Sequence, residues 1–243
     1  MTASSDHDAL ENLVTLRDWL RFATSRFRAV GLAHGHGASN ALDEAVFILL
    51  EALSLPVEDI NPWLDARLTL AERKRIHGLI GARIDTRKPA AYLLGATYLL
   101  GRRFRVDERV IVPRSFIAEL LFSGAFGQPD GTPGTLIEDP LSVTRVLDLC
   151  TGSGCLAILA AEAFPNATVD AVDLSAAALE VARLNLADHG LEDRVALFEG
   201  DLLAPLHGLH YDLIVANPPY VTAEAVAAFP PEYAAEPKMA HLG

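Results

Sequence analysis

The first residues that could do chemistry form a glycine-rich turn between a short apolar run and a helical segment. The turn reads Asp148-Leu149-Cys150-Thr151-Gly152-Ser153-Gly154. Its glycines permit positive φ and let a ligand approach bare backbone N–H groups where a helix begins. Asp173 ends the next apolar run, about 20 residues later, where a carboxylate can accept hydrogen bonds from both hydroxyls of a ribose. The turn and Asp173 therefore predict a site for a cofactor that carries a nucleoside.

The chemistry of that cofactor depends on Asp148. The pattern Gly152-x-Gly154-x-x-Ala157 also fits the fingerprint of dinucleotide sites, so a nicotinamide-dependent dehydrogenase stays open as an alternative. A carboxylate at the strand end would repel a nearby pyrophosphate, but it could receive the ammonium of a methionine moiety. Asp148 therefore favours S-adenosylmethionine over a nicotinamide cofactor.

A second constellation, Asn217-Pro218-Pro219-Tyr220, follows the apolar run Asp212–Ala216. An amide nitrogen is a poor nucleophile because its lone pair is delocalised into the carbonyl. The Asn217 side-chain oxygen and the Pro218 carbonyl could hold such an NH2 group in line with a methyl donor, and the prolines stiffen that carbonyl. Tyr220 could lie against the flat amide and exclude water. The pattern predicts methyl transfer to an amide nitrogen, with the exocyclic amine of adenine in DNA as the alternative acceptor.

Helices are predicted for the first 85 or so residues. Apolar residues recur at helical spacing from Asp8 to Val30, Asn40 could cap a second helix that ends before Pro56, and Thr69 with Glu72 forms a capping box for a third. These segments predict a small helical bundle. Between Pro89 and Pro113, strand-like runs at Ala91–Leu94 and Phe104–Val106, broken near Gly101, predict a β-hairpin that links two domains.

Strands and helices alternate from residue 145 onward. The predicted strands are Val146–Leu149, Thr168–Val172, Val195–Phe198 and Leu213–Ala216, and the predicted helices are Cys155–Phe164 and Ala176–His189. This alternation favours a parallel, doubly wound α/β sheet. The Gly- and Pro-rich segment Gly124–Ser142 is expected to be a surface loop.

The composition of the chain indicates which binding partners and which cellular compartment to expect. The formal net charge of -12 falls on the second half of the chain: residues 1–115 carry 16 Lys and Arg against 14 Asp and Glu, whereas residues 116–243 carry 4 against 18. An acidic half disfavours direct nucleic-acid binding and favours a basic protein partner. We expect no secretory signal, no membrane span, no disulfide between Cys150 and Cys155, and no metal site among the histidines, which together indicate a cytoplasmic protein.

These motifs resemble those of the protein-glutamine methyltransferase family. The resemblance rests on Asp148–Cys155 and Asn217–Tyr220, and it continues through the Pro230–Tyr233 and Glu236–Pro237 segments. The stretch Val112-Pro113-Arg114-Ser115 resembles the branch that methylates ribosomal protein three of the large subunit, whereas the release-factor branch typically has Pro-Arg-Pro-Asp-Thr-Glu. The resemblance implies a helical substrate-recognition domain over residues 1–88, a hairpin linker over 89–114 and a Rossmann-like methyltransferase domain over 115–243. It assigns the cofactor to Cys150, Thr151, Gly152, Ser153, Gly154, Asp173 and Asp201, and the glutamine to Asn217, Pro218, Pro219 and Tyr220. We expect Asp148, Leu202 and Asn217 to bind the cofactor as well.

The family pattern extends beyond the Glu236–Pro237 segment, whereas this sequence ends at Gly243. We therefore expect a methyltransferase domain that is incomplete at its C-terminus, with the strand ending at Ala216 as an exposed edge that invites self-association. Methylation of release factors stays open as an alternative, and so does a remnant that binds the cofactor without turnover.

Overall fold

The computed structural model describes residues 3–127 and 132–241 of the chain. It divides into two compact units. The first comprises Met1–Gly95 together with Phe229–Ala235, and the second comprises Ala96–Ala228 together with Glu236–Gly243. The chain thus leaves the second unit after residue 228, contributes Phe229–Ala235 to the first, and returns at Glu236. We call Phe229–Ala235 the return segment.

Five α-helices and two 3-10 helices, Asn61–Trp63 and Pro231–Ala235, lie in the described part of the first unit. The α-helices are α1 (Ala3–Asn12), α2 (Leu16–Ala29), α3 (Ala41–Ala52), α4 (Leu70–Thr86) and α5 (Ala90–Leu94). The predicted caps are confirmed, because Asn40 accepts hydrogen bonds at the start of α3, and Thr69 with Glu72 forms a capping box before α4.

Two sequence predictions for this unit were wrong. The single helix expected from Asp8 to Val30 is interrupted, because Thr15 and Asp18 form a capping box that starts α2. The strand expected at Ala91–Leu94 is part of α5, since apolar periodicity in so short a run does not separate a strand from a buried helix.

The core of the first unit lies where α2 packs on α3 and α4. Trp19, Phe27, Ile48 and Ile76 are fully or almost fully buried there. The Trp19 ring nitrogen donates a hydrogen bond to the Leu13 carbonyl at 2.9 Å, so the indole fills the core without leaving a polar atom unsatisfied.

A buried ion pair lies in the same unit. Arg83 donates from Nε to Glu44 at 2.8 Å and from its two other nitrogens to the carbonyls of Ala33 and Arg87, each at 3.0 Å. The second Glu44 oxygen lies 2.8 Å from His34 Nδ1. These bonds satisfy a guanidinium that is 0 % exposed, so loss of one charged partner would leave the other charge buried and uncompensated.

The second unit begins with the predicted hairpin, formed by β1 (Ala96–Leu99) and β2 (Arg102–Arg105) in antiparallel register. Leu100 and Gly101, with φ of 51° and 75°, make the two-residue turn, and this pair of positive φ values matches the twist of the strands. Arg102 pairs with Glu162 at 2.6 Å, which ties the hairpin to the helices of the second unit.

A four-stranded parallel sheet is the centre of the second unit. Its strands are β3 (Arg145–Leu149), β4 (Thr168–Asp173), β5 (Val195–Glu199) and β6 (Leu213–Ala216), in the order β5-β4-β3-β6. The helices of this unit are α6 (Phe116–Leu121), α7 (Cys155–Ala163), α8 (Ala176–His189) and α9 (Ala223–Ala227). The predicted strands and helices of this region are confirmed, and with them the α/β, Rossmann-like fold class.

Alternating residues divide the sheet into two faces. Val146, Val169, Ala171, Val195 and Val215 point to one face and form the main core with α7. The other face carries Leu147 and Val172, which pack with Leu206. In the described part of the chain β6 is an edge strand, and its Ile214 is 52 % exposed. Self-association through this edge stays a prediction.

The expected surface loop Gly124–Ser142 contains short 3-10 turns at Gly124–Phe126 and Pro140–Ser142, and Phe126 is buried against the core. Residues 128–131 of that loop lie outside the described residues. Within residues 3–127 and 132–241, no helix has both the length and the apolar character that crossing a bilayer requires.

Replacing Glu44 with Gln should destabilise the first unit, because it leaves the charge of the buried Arg83 without its carboxylate. We expect a loss of about 3 kcal/mol in the free energy of unfolding, measured by urea denaturation. Glu58 is exposed, so Glu58→Gln is the control and should change stability by less than about 0.5 kcal/mol. Equal stabilities of the two variants would contradict a role for this ion pair.

Candidate active site

The register of the sheet brings the predicted site residues to one edge. Leu149 of β3 pairs with Val172 of β4 on one side and with Ala216 of β6 on the other. In a parallel sheet the carboxyl ends of the strands meet at the same edge, where ligands of open α/β folds bind. The glycine-rich turn, Asp173 and Asn217 each follow or end one of these three strands. Residues that lie far apart in the sequence are therefore brought together at the carboxyl ends of the strands.

Backbone hydrogen bonds hold the glycine-rich turn against β4. Thr151 N donates to the Val172 carbonyl at 3.0 Å, and Gly152 N donates to Oδ2 of Asp173 at 2.8 Å. Cys150, Gly152 and Gly154 have φ values of 60°, 56° and 79°. Because Cys150 adopts this left-handed conformation with a side chain attached, the turn stores backbone strain at the position that joins β3 to the site.

The two glycines of the turn serve different purposes. A Cβ on Gly154 would lie 3.1 Å from the Cβ of Ala182, so this glycine allows the start of α7 to approach α8 closely. A Cβ on Gly152 would meet nothing within 4 Å. The backbone at Gly152 therefore faces open space, which is the side from which a ligand can approach.

Asn185 of α8 is a site residue that sequence reasoning missed. Its side chain is 0 % exposed, and its Nδ2 donates to the Ser153 carbonyl at 2.8 Å and to the Arg105 carbonyl at 3.1 Å. Its oxygen accepts from Arg105 N at 2.6 Å. The amide thus connects the glycine-rich turn to strand β2. A single asparagine on a helix carries no motif, so the sequence held no signal for this role.

Asp148 is the most unusual group of the site. It is 0 % exposed, and its Oδ2 accepts a hydrogen bond from Thr151 Oγ1 at 2.5 Å. Its Oδ1 is buried as well. Burial raises the pKa of Asp148 to about 7, against the opposing effects of hydrogen bonds from the Thr151 side chain and the Ala157 backbone, and the nearby charge of Asp173 adds to the increase. The contact of this buried carboxylate with the ammonium group of the cofactor stays a prediction.

The carboxylate of Asp173 organises the backbone around it. Besides the bond from Gly152 N, its Oδ1 accepts from Ser175 N at 2.9 Å, at the start of α8. A carboxylate has about four lone-pair sites, so acceptor capacity remains for ribose hydroxyls. Gly200 N also donates to the Asp173 carbonyl at 3.0 Å, which holds the turn after β5 beside this residue.

The remaining predicted cofactor residues, Asp201 and Leu202, lie in that turn. Both are exposed, and Leu202 adopts a positive φ of 47°. The backbone bond from Gly200 to Asp173 places them near the end of β4. Their predicted contact with the cofactor stays a prediction.

The two cysteines are free and lack the features of a nucleophile. Burial raises the pKa of the Cys150 thiol, and Asp173, Asp148 and Asp201 raise it further. Burial also raises the pKa of Cys155 to about 12. A thiolate is therefore disfavoured at both positions, which agrees with a packing role. Within the described ranges, no cluster of His, Cys, Asp and Glu suits a metal ion.

Asn217 to Tyr220 form the outer part of the site. Asn217 follows Ala216 directly and is partly buried, whereas the Tyr220 ring is 79 % exposed. The next residue, Val221, donates from its backbone N–H to the His241 carbonyl at 2.9 Å. The four residues thus lie between β6 and a backbone anchor, with the aromatic ring open to a substrate.

The second unit contains a methyltransferase domain, since the family model for the methyltransferase small domain matches residues 133–229. Curated relatives specify the family. A ribosomal protein uL3 glutamine methyltransferase of Bradyrhizobium diazoefficiens is 57 % identical over 95 % of this chain and 72 % of its own length. Those of Bordetella pertussis and Burkholderia pseudomallei are 52 % and 53 % identical over 96 % and 94 % of this chain, and 76 % and 74 % of their own lengths. The chain belongs to the ribosomal protein uL3 glutamine methyltransferase family.

Substituting Asp148 by Asn should stabilise the protein in the absence of a cofactor, and more so at higher pH. The pKa of this carboxyl is raised by folding, so the native state loses stability as pH rises from about 4 to about 7, and that loss is complete above the raised pKa. The amide of the variant does not ionise. We expect the variant to exceed the parent by at least about 1 kcal/mol near pH 8, with a smaller difference near pH 5. Urea denaturation at both values measures this, and a difference that is independent of pH would contradict it.

Proposed function

We propose that this protein transfers a methyl group from S-adenosylmethionine to the side-chain amide nitrogen of a glutamine in ribosomal protein uL3. The observation that carries the proposal is the convergence of Asp148, Asp173 and Asn217 at one edge of the sheet. The names of the curated relatives supply the substrate, since each is called a ribosomal protein uL3 glutamine methyltransferase. A ribosomal protein substrate and two free cysteines support a cytoplasmic location.

The residues present fit the proposed cofactor. The negative charge of an ionised Asp148 suits its ammonium, the Asp173 carboxylate suits its ribose hydroxyls, and the open backbone at Gly152 admits it. Asp201 and Leu202 would hold the adenine end. When bound, the cofactor supplies an electrophilic methyl group on a sulfonium.

The chain's own residues hold and orient the glutamine. The Asn217 side-chain oxygen and the Pro218 carbonyl accept hydrogen bonds from the target NH2, which fixes the direction in which its nitrogen points. Pro218 and Pro219 limit φ and stiffen this arrangement. The exposed ring of Tyr220 is available to cover the flat amide and exclude water. Positioning thereby offsets the weak nucleophilicity of an amide nitrogen.

Two other substrates remain candidates on chemical grounds. Release factors present the same glutamine amide, and adenine in DNA presents a similarly delocalised amine. The charge of residues 116–243, which hold 4 Lys and Arg against 18 Asp and Glu, disfavours DNA and favours a basic protein.

Substrate identity is tested by incubating the protein with cofactor labelled in its methyl group and, separately, with purified uL3, a release factor or duplex DNA. We expect label on uL3, and mass spectrometry of the digest should place it on a glutamine. Label on the release factor or on DNA with none on uL3 would overturn the proposal.

Substitution of Asn217 by Ala should remove the group that orients the target amide, while the methyl donor still binds. We expect the rate of methyl transfer to fall by about 100-fold or more, with cofactor affinity changed less than about threefold. Single-turnover kinetics and calorimetry measure the two quantities. Turnover equal to that of the parent would remove Asn217 from the mechanism.

Substitution of Asp173 by Ala should weaken cofactor binding, because charge-assisted hydrogen bonds contribute about 1.5 to 3 kcal/mol each. It also removes the acceptor of Gly152 N. We expect a loss of at least about tenfold in affinity by calorimetry. Asp193→Ala, at an exposed position before β5, is the control and should bind like the parent. Tighter binding of NAD than of S-adenosylmethionine by the parent would instead favour a dehydrogenase.

A further inference from the structure

Glu236 is another buried carboxylate of the second unit, and the proposed mechanism assigns it no role. Its side chain is 0 % exposed. Oε1 and Oε2 each accept a hydrogen bond from a different nitrogen of Arg114 at 2.8 Å, and Oε1 also accepts from Val112 N at 3.1 Å. A bidentate pair of this kind fixes both the position and the orientation of the carboxylate.

The same carboxylate reaches His241. Its Oε2 lies 2.9 Å from His241 Nε2, and the histidine side chain is 6 % exposed. Between the two residues the chain makes a short 3-10 turn at Lys238–Ala240. The Glu236 carboxylate therefore contacts the imidazole at the other end of this turn, and the contact is an ion pair when His241 is protonated.

The backbone of His241 is the link to the candidate active site. Its carbonyl accepts the hydrogen bond from Val221 N, which belongs to the peptide group that follows Tyr220. Because a peptide group is planar, fixing Val221 N also fixes the Tyr220 carbonyl and restricts ψ of Tyr220. The connection thus runs from Arg114 through Glu236 and His241 to the last residue of the proposed glutamine-holding loop.

We infer that Glu236 is a positioning residue for methyl transfer, which holds the loop Asn217–Tyr220 in its productive conformation through His241 and Val221. The inference rests on the proposed function of that loop. Among the described residues, strand β6 holds the loop on one side and the Val221 to His241 bond holds it on the other. Loss of the second attachment frees Tyr220 while β6 keeps Asn217 at the sheet edge.

The neighbouring carboxylate Glu232 is paired within the first unit, although only three residues separate it from Glu236. It lies in the return segment, where its Oε1 accepts from Ala33 N at 3.1 Å and pairs with Arg87 at 3.1 Å, all within the first unit. The two carboxylates therefore anchor the chain in different units, one on each side of the point where it returns. Of the two, Glu236 alone lies on the connection traced to Tyr220.

Hydrogen exchange tests the physical link directly. Pro218 and Pro219 carry no amide hydrogen, so a peptide covering residues 217–222 reports on Tyr220, Val221 and Thr222. We expect Glu236→Gln, which keeps the volume but removes the charge, to accelerate exchange in this peptide by about tenfold. Arg114→Gln removes the bidentate partner and should act in the same direction; it replaces Glu236→Gln if that variant does not fold.

Glu44→Gln is a matched control, because Glu44 is also buried and paired with an arginine and a histidine, in the first unit. We expect it to lower global stability without accelerating exchange in residues 217–222 under conditions where the variant is folded. Unchanged exchange in both second-unit variants, or equal acceleration in Glu44→Gln, would overturn the inference.

Kinetics supply the functional readout with uL3 as substrate. Glu236→Gln should lower kcat by about tenfold while cofactor affinity stays within about twofold, whereas Glu44→Gln should retain the parent kcat at a temperature where it is folded. If exchange accelerates but kcat does not change, positioning by Glu236 is refuted. Failure of the parent to methylate uL3 would refute the proposed function instead, and the exchange result would still decide whether Glu236 holds the loop.

Discussion

The site depends on the parallel pairing of β3 with β4 and β6. Asp148 lies near the end of β3, Asp173 ends β4, and Asn217 follows β6, so each becomes part of the site only when these strands align at their carboxyl ends. A slip of one residue would turn every side chain of a strand to the opposite face. The pattern of buried apolar residues that packs against α7 fixes the register, and through it the spacing of the polar groups.

The same packing places groups at the site that lower the stability of the folded protein. Asp148 faces the apolar core side of the sheet, where burial penalises its charged form, and the strained conformation of Cys150 follows closely. Groups of this kind stay in place only when the surrounding structure over-determines their conformation. Here the backbone bonds of Thr151 and Gly152 to β4, and the amide of Asn185, provide that constraint.

Buried carboxylates also hold the chain together outside the sheet. Glu44 and Glu232 are paired within the first unit, and Glu236 is paired within the second. In each case an arginine supplies hydrogen bonds that compensate for the loss of water. Such pairs contribute little net stability compared with apolar residues, but loss of one partner leaves the other charge buried, which ties each carboxylate to the unit that holds its arginine. The return segment illustrates this, since Glu232 within it and Glu236 directly after it belong to different units.

The sequence by itself determined the elements and the chemistry, because hydrophobic period, capping residues and glycine turns are local signals. The four strands of the parallel sheet, helices α7 and α8, the caps at Asn40 and Thr69, and the glycine-rich turn were all predictable in this way, whereas the short helix α9 was not predicted. Short ambiguous runs were not, and Ala91–Leu94 became a helix because tertiary packing outweighs weak local preference. Only the tertiary structure brought Asn185 to the glycine-rich turn and Glu236 to Arg114 and His241. Their roles arise from burial and from partners distant in sequence, which no spacing of residues along the chain encodes.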